Sequence, residues 1–84
     1  MPEEKEGARL LSDLRCGQRG VVRELVTRGE MRRRLQDIGL ISGTNVECVG
    51  VSPLGDPAAY LIRGAVIALR REDAAGVHLV PQTV

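Results

Sequence analysis

One segment constrains this chain more than any other, because it alone carries the signals of a helix: residues 27–40, TRGEMRRRLQDIGL. Three of its apolar residues recur at intervals of four and three, which places them along one side of an α-helix; they are Met31, Leu35 and Ile38. Gly39 stands where helices often end in a left-handed residue, and Leu40 can close over the last turn. The pattern predicts a single short helix at about residues 28–38.

The polar residues of this segment predict how the helix begins and what its outer face carries. Thr27 and Glu30 have the spacing of a capping box, in which each side chain accepts from the other residue's backbone N–H. Glu30 and Arg34 are spaced to pair across one turn. Together with Arg34, Arg32 and Arg33 form a basic patch, which is either a solvated face or a protein-docking face.

Around the helix, the sequence favours short β-strands. The valine-rich or alternating segments are residues 21–26, 46–51, 58–63, 65–70 and 77–80. The alternation changes phase at Gly50, which predicts a β-bulge. Arg63 and Gly64 can form the two-residue turn of a hairpin. Single helical turns are expected near residues 10–14 and 72–76. With no strand–helix–strand repetition, the predicted fold is mainly β, a small antiparallel barrel of about five strands.

The length and composition indicate one domain with an aliphatic core. The chain has 84 residues, a net charge of +1 and one aromatic residue, Tyr60. We predict a flexible leader at residues 1–9, a single domain at 10–81 and a short tail at 82–84. No run approaches the ~20 apolar residues of a membrane span. The charged start lacks the apolar segment of a secretory signal, so the expected location is the cytoplasm.

The sequence offers no convincing catalytic pair or metal-ligand spacing. His78 is out of phase with its apolar neighbours and is expected to be an exposed strand residue, whereas Cys48 alternates with Val46 and is expected in the core. Cys16, in a glycine-bounded turn, is the more accessible thiol. Cys16 and His78 are the candidate metal ligands, but no pair has ligand spacing. We therefore predict a chain that is not an enzyme and has no cofactor, to which zinc or iron binds only adventitiously.

Nucleic-acid binding is an alternative function, because small barrels often bind nucleic acid and the helix carries three consecutive arginines. Single-strand binders stack bases on several aromatic side chains, whereas this chain has only Tyr60. The expectation is therefore that nucleic acid is not the partner. A second alternative is an intracellular metal-sensing module. Weak self-association is also compatible with the apolar strands and the small net charge.

The order of several motifs resembles the ferrous iron transport protein A family (FeoA). The motifs are GVV at residues 20–22, RRLQDIGL at 33–40, Gly43 before a valine strand, GDP at 55–57, YLIRG at 60–64 and IALR at 67–70. This resemblance extends over most of the chain. It implies an SH3-like barrel, in agreement with the strand pattern.

The resemblance also implies a role. It indicates a small cytosolic accessory protein that binds the ferrous iron importer FeoB and is peripheral to the inner membrane through that partner. We predict that four residues contribute to a docking surface, two on the helix and two in the loop at residues 52–57. They are Arg32, Arg33, Leu54 and Asp56. Leu54 would be an exposed apolar anchor, and the arginines would suit carboxylates on the partner.

Overall fold

The computed structural model describes residues 9–81, in which one nine-residue helix interrupts a series of five strands. In chain order the elements are a 3₁₀ turn (Leu11–Asp13), β1 (Arg19–Leu25), α1 (Gly29–Asp37), β2 (Asn45–Val51), β3 (Ala58–Ile62), β4 (Ala65–Leu69), α2 (Arg71–Ala74) and β5 (Val77–Leu79). The mainly β class and both helical turns are confirmed. Apart from Arg9, the predicted leader (residues 1–9) lies outside the described residues, as does the predicted tail (82–84).

The five strands form one antiparallel sheet in the order β4-β3-β2-β1-β5. Alternate side chains point inward, and the inward faces enclose a single aliphatic core in which Tyr60 is the one aromatic residue. The largest fully buried side chains are Tyr60, Leu11, Leu35, Leu40, Ile62, Leu79, Val22, Val46, Val77 and Cys48. Within residues 9–81, no helix is long or apolar enough to cross a bilayer.

Two local irregularities of the sheet match the sequence signals. The register of β2 against β3 shifts between Cys48 and Gly50, which confirms the predicted bulge. Ile62 pairs with Ala65 across a two-residue turn in which Arg63 has φ 51° and Gly64 has φ 88°. Positive φ at both positions matches the right-handed twist of the flanking strands.

Helix α1 ends as predicted. Leu35 is buried, and the two other residues of its apolar stripe pack against the core from partly exposed positions. Gly39 has φ 106°, and its N–H donates to the carbonyl of Gln36 at 2.9 Å. The N–H of Leu40 donates to the carbonyl of Leu35 at 3.0 Å. These two bonds form a Schellman motif that satisfies carbonyls left open at the helix end.

The predicted capping box at the start of α1 is wrong. The N-cap is Arg28, and no side chain caps the helix. The chain enters the helix through Gly29 at φ 72°, and Thr27 turns its hydroxyl towards Gly76. Gly76 lies between α2 and β5, and this contact takes the hydroxyl away from the first turn of α1. The expected ion pair between Glu30 and Arg34 is also absent from the described residues 9–81.

Candidate docking surfaces

The two arginines predicted to dock on a partner differ in their surroundings. Arg33 is exposed and makes no ion pair or side-chain hydrogen bond with any residue of the described range 9–81. Arg32 donates from Nη1 to the backbone carbonyl of Leu25 at 2.8 Å, and lies 3.4 Å from the carbonyl oxygen of Thr27. Its guanidinium therefore connects α1 to the end of β1. Arg32 has a structural role that the sequence spacing did not reveal.

The loop at residues 52–57 shows the same division of roles. Leu54 is 93% exposed, as expected for an apolar anchor. Asp56 is half-buried, and its Oδ1 accepts a hydrogen bond of 2.8 Å from the backbone N–H of Arg71. Because Arg71 is the first residue of α2, this bond satisfies one of the open N–H groups at the helix start. Asp56 therefore connects the loop to α2.

The predicted docking residues lie beside different cavities. Arg32 borders a shallow one together with Leu25, Val26 and Arg28. Asp56 borders another, of ≈ 320 Å³, which we call the Tyr60 cavity. The Tyr60 cavity is lined by Ser12, Asp13, Leu14, Arg15, Cys16, Val51, Gly55, Asp56, Ala58, Tyr60 and Arg71. It lies between the 3₁₀ turn with its following residues, the loop at 52–57 and the start of α2.

Tyr60 is the buried polar residue of this cavity. It is 2% exposed, and its hydroxyl has no hydrogen-bond partner among residues 9–81. Burial raises the pKa of this hydroxyl above its ordinary value of 10.0, and the nearby Cys48 and Asp56 raise it further, while Arg71 opposes them. At neutral pH Tyr60 is therefore a hydroxyl donor. The sequence pattern assigned Tyr60 no role in a site, and its being the only aromatic residue was the one signal available.

A larger cavity of ≈ 660 Å³ lies elsewhere, along residues of β1, β2 and β3 and their connecting turns. Two of its charged residues pair with each other: Arg19 Nε lies 3.6 Å from Glu47 Oε1. These residues stand opposite one another on β1 and β2. The positive charge of Arg19 at this cavity is thus offset by Glu47 on the neighbouring strand.

The two candidate metal ligands, Cys16 and His78, border different cavities. Cys16 is exposed beside the Tyr60 cavity, and Cys48 is fully buried, as its alternation predicted. His78 is half-buried rather than exposed, because β5 brings it beside β1, where its Nδ1 lies 3.4 Å from Arg23 Nη2. Within residues 9–81, no three His, Cys, Asp or Glu side chains are grouped to hold a metal ion.

The curved five-stranded sheet with one inserted helix defines a small barrel of the SH3-like class. The chain belongs to the FeoA family, since the model of the FeoA domain matches residues 9–81. The family resemblance and the SH3-like fold predicted from the motifs are both confirmed.

Three known proteins illustrate the relationship. The Fe(2+) transport protein A/Fe(2+) transporter FeoB fusion protein of Porphyromonas gingivalis is 36% identical over 69 residues, which are 82% of this chain and 8% of that protein. The chain thus spans a small part of this curated relative. The FeoA protein of Chlorobium tepidum is 34% identical with a TM-score of 0.78, over 83% of this chain and 67% of that one. Stenotrophomonas maltophilia FeoA, solved in complex with zinc, is 27% identical with a TM-score of 0.77, over 87% of this chain and 91% of that one.

Proposed function

We propose that this chain is an accessory protein of ferrous iron uptake that acts by binding the membrane transporter FeoB. The observation that carries the proposal is the Porphyromonas gingivalis relative, in which a segment 36% identical to this chain belongs to the same polypeptide as FeoB. Fusion gives two modules a high effective concentration. Where the two modules are separate polypeptides, the same association requires a non-covalent surface. The proposed place of action is the cytosolic face of the membrane that holds FeoB.

Two surface residues suit this interaction. Leu54 is 93% exposed, and burying a leucine side chain contributes ~1.5–3 kcal/mol. Arg33 is exposed and without an ion-pair partner in residues 9–81, so its planar guanidinium is available for a carboxylate. The proposed role requires neither a catalytic residue nor a cofactor. It assigns Arg32 and Asp56 chiefly to holding the elements that present the surface.

The test is a binding titration of the full chain against detergent-solubilised FeoB from the same organism, without nucleotide, with GDP and with a GTP analogue. Leu54→Ser and Arg33→Gln are each expected to weaken binding by about tenfold. Val66→Ser is the matched control for Leu54, because Val66 is 64% exposed on β4 and outside the loop. Absence of binding in all three nucleotide states would contradict the proposal.

The two alternative functions are tested with the same preparation. Oligonucleotide binding that weakens steeply with salt would favour a nucleic-acid-binding barrel. Iron or zinc bound above background, and lost on replacing Cys16 or His78, would favour a metal-sensing module. We expect neither result.

A further inference from the structure

We propose that the Tyr60 cavity receives a carboxylate side chain of the partner, with the guanidinium groups of Arg15 and Arg71 and the hydroxyl of Tyr60 as donors. This inference rests on the proposed function in one respect, that the carboxylate comes from the transporter. It adds a second contact to the docking surface and states the chemistry of the group that fills it.

The two arginines are positioned through their backbones, which leaves their side chains available. The N–H of Arg15 donates to Gln18 Oε1 at 2.8 Å, and the N–H of Arg71 donates to Asp56 at 2.8 Å. Neither guanidinium forms an ion pair or a hydrogen bond with any residue in the range 9–81. The Arg71 guanidinium extends over the loop, with Nη2 3.7 Å from the position that a Cβ on Gly55 would occupy. Two guanidinium groups thus border one cavity, and neither has an acceptor among residues 9–81.

The acidic residues of the cavity, in contrast, already accept hydrogen bonds. Asp13 Oδ2 accepts from the N–H of Leu10 at 3.1 Å and lies 3.3 Å from the N–H of Arg9. Asp56 Oδ1 accepts from the N–H of Arg71. Both carboxylates already accept hydrogen bonds from backbone N–H groups. The polar groups of the cavity that still lack a hydrogen-bond partner are therefore mainly donors. A carboxylate, which only accepts, is the complementary group.

Tyr60 provides a third donor. It is 2% exposed and its hydroxyl has no partner within residues 9–81. Because no group of residues 9–81 accepts from this hydroxyl, a carboxylate that enters the cavity can accept a hydrogen bond from it. Burial raises the pKa of Tyr60, which keeps the proton on the hydroxyl at neutral pH.

The rim of the cavity indicates that the carboxylate belongs to a protein. Val51 lines the cavity and is 49% exposed, and Leu54 is adjacent in the chain to the lining residue Gly55. A free carboxylate ion would leave these apolar side chains in water. An acidic side chain with an apolar neighbour on the partner surface would cover them. This arrangement joins the cavity to the loop already proposed to dock.

The site is tested first without the transporter, using a blocked glutamate (N-acetyl-glutamic acid α-amide) as the probe. Tyr60 is the only aromatic residue, so tyrosine fluorescence reports on this cavity alone. A saturable change with an affinity of about 1–10 mM is expected, and an equal ionic strength of sodium chloride should not reproduce it. The change should be lost in Arg15→Gln/Arg71→Gln. Arg28→Gln/Arg70→Gln, which removes the same charge outside the cavity, should retain it. Absence of a saturable change would overturn the site.

The second measurement is the affinity of both double variants for solubilised FeoB. Arg15→Gln/Arg71→Gln should bind at least about tenfold more weakly than Arg28→Gln/Arg70→Gln, and Tyr60→Phe should also bind more weakly. Equal binding by the two doubles would overturn the inference while the proposed function stands. If FeoB does not bind the unaltered chain but the probe does, the carboxylate site is supported and its assignment to the transporter is overturned.

Discussion

The guanidinium of Arg32 lies 2.8 Å from the backbone carbonyl oxygen of Leu25 and donates a hydrogen bond to it from Nη1. Arg33, the next residue, has no such contact in residues 9–81. We expect Arg32→Met to lower the free energy of unfolding by ~1 kcal/mol. The loss is smaller than that of a fully buried hydrogen bond to a charged group, because Arg32 is partly solvated. Arg33→Met should change it by less than about 0.5 kcal/mol. Urea unfolding of the two variants measures this difference, and equal losses would contradict it.

Asp56 is expected to act on stability through α2. Asp56→Ala removes the acceptor for the N–H of Arg71 and should lower the free energy of unfolding by ~1 kcal/mol, as loss of a helix cap does. Asp56→Asn keeps an oxygen acceptor and should lose less. Urea unfolding compares the two variants. A stable Asp56→Ala protein that binds FeoB poorly would instead assign Asp56 to the interface.

Gly39 and Gly43 both have positive φ, 106° and 92°, but only one of them is also crowded. A Cβ at position 39 would overlap the side chain of Arg63, whereas a Cβ at position 43 has nothing within 4 Å. Gly43→Ala should cost ~1 kcal/mol from backbone strain alone, and Gly39→Ala should cost more, about 2–4 kcal/mol. Thermal or urea unfolding distinguishes them. Equal costs would show that Arg63 moves aside freely.

The packing of Thr27 against Gly76 predicts coupling between these two positions. A Cβ at position 76 would overlap Thr27 Oγ1 and lie 3.3 Å from Thr27 Cβ. Gly76→Ala should therefore destabilise the protein by about 1–3 kcal/mol. Thr27→Ala should restore part of that loss in the double variant. A double-mutant cycle measures the coupling, and additive effects would contradict the contact.

Because of Tyr60, we expect the stability of the folded protein to depend on pH in the alkaline range. Burial raises its pKa in the folded state above that in the unfolded chain, so the folded state binds the proton more tightly. This contribution to stability is fully present below about pH 10 and is lost as the pH rises through the folded-state pKa. Tyr60→Phe should remove this part of the pH dependence. Because Arg71 favours the phenolate, Arg71→Gln should raise the pKa further, as measured by phenolate absorbance.

The features that the sequence predicted correctly are those encoded within a few residues. The bulge at Gly50, the turn at Arg63 and Gly64, and the helix end at Gly39 each follow from a local backbone preference. The order of these signals along the chain also indicated the FeoA family, which the match over residues 9–81 confirmed. Each of these signals is a preference of the backbone itself and needs no side-chain partner elsewhere in the fold.

The tertiary structure alone decided which partner each polar side chain took. Thr27 contacts Gly76 instead of capping its own helix, and Arg32 bonds to the end of β1. Asp56 accepts from a residue fifteen positions away. Each of these contacts is worth only ~1 kcal/mol, so competing partners are nearly equivalent in energy. Proximity in the folded barrel selects among them. The sequence thus determined the elements and their family, while the packing of those elements decided which donors and acceptors remain open on the surface.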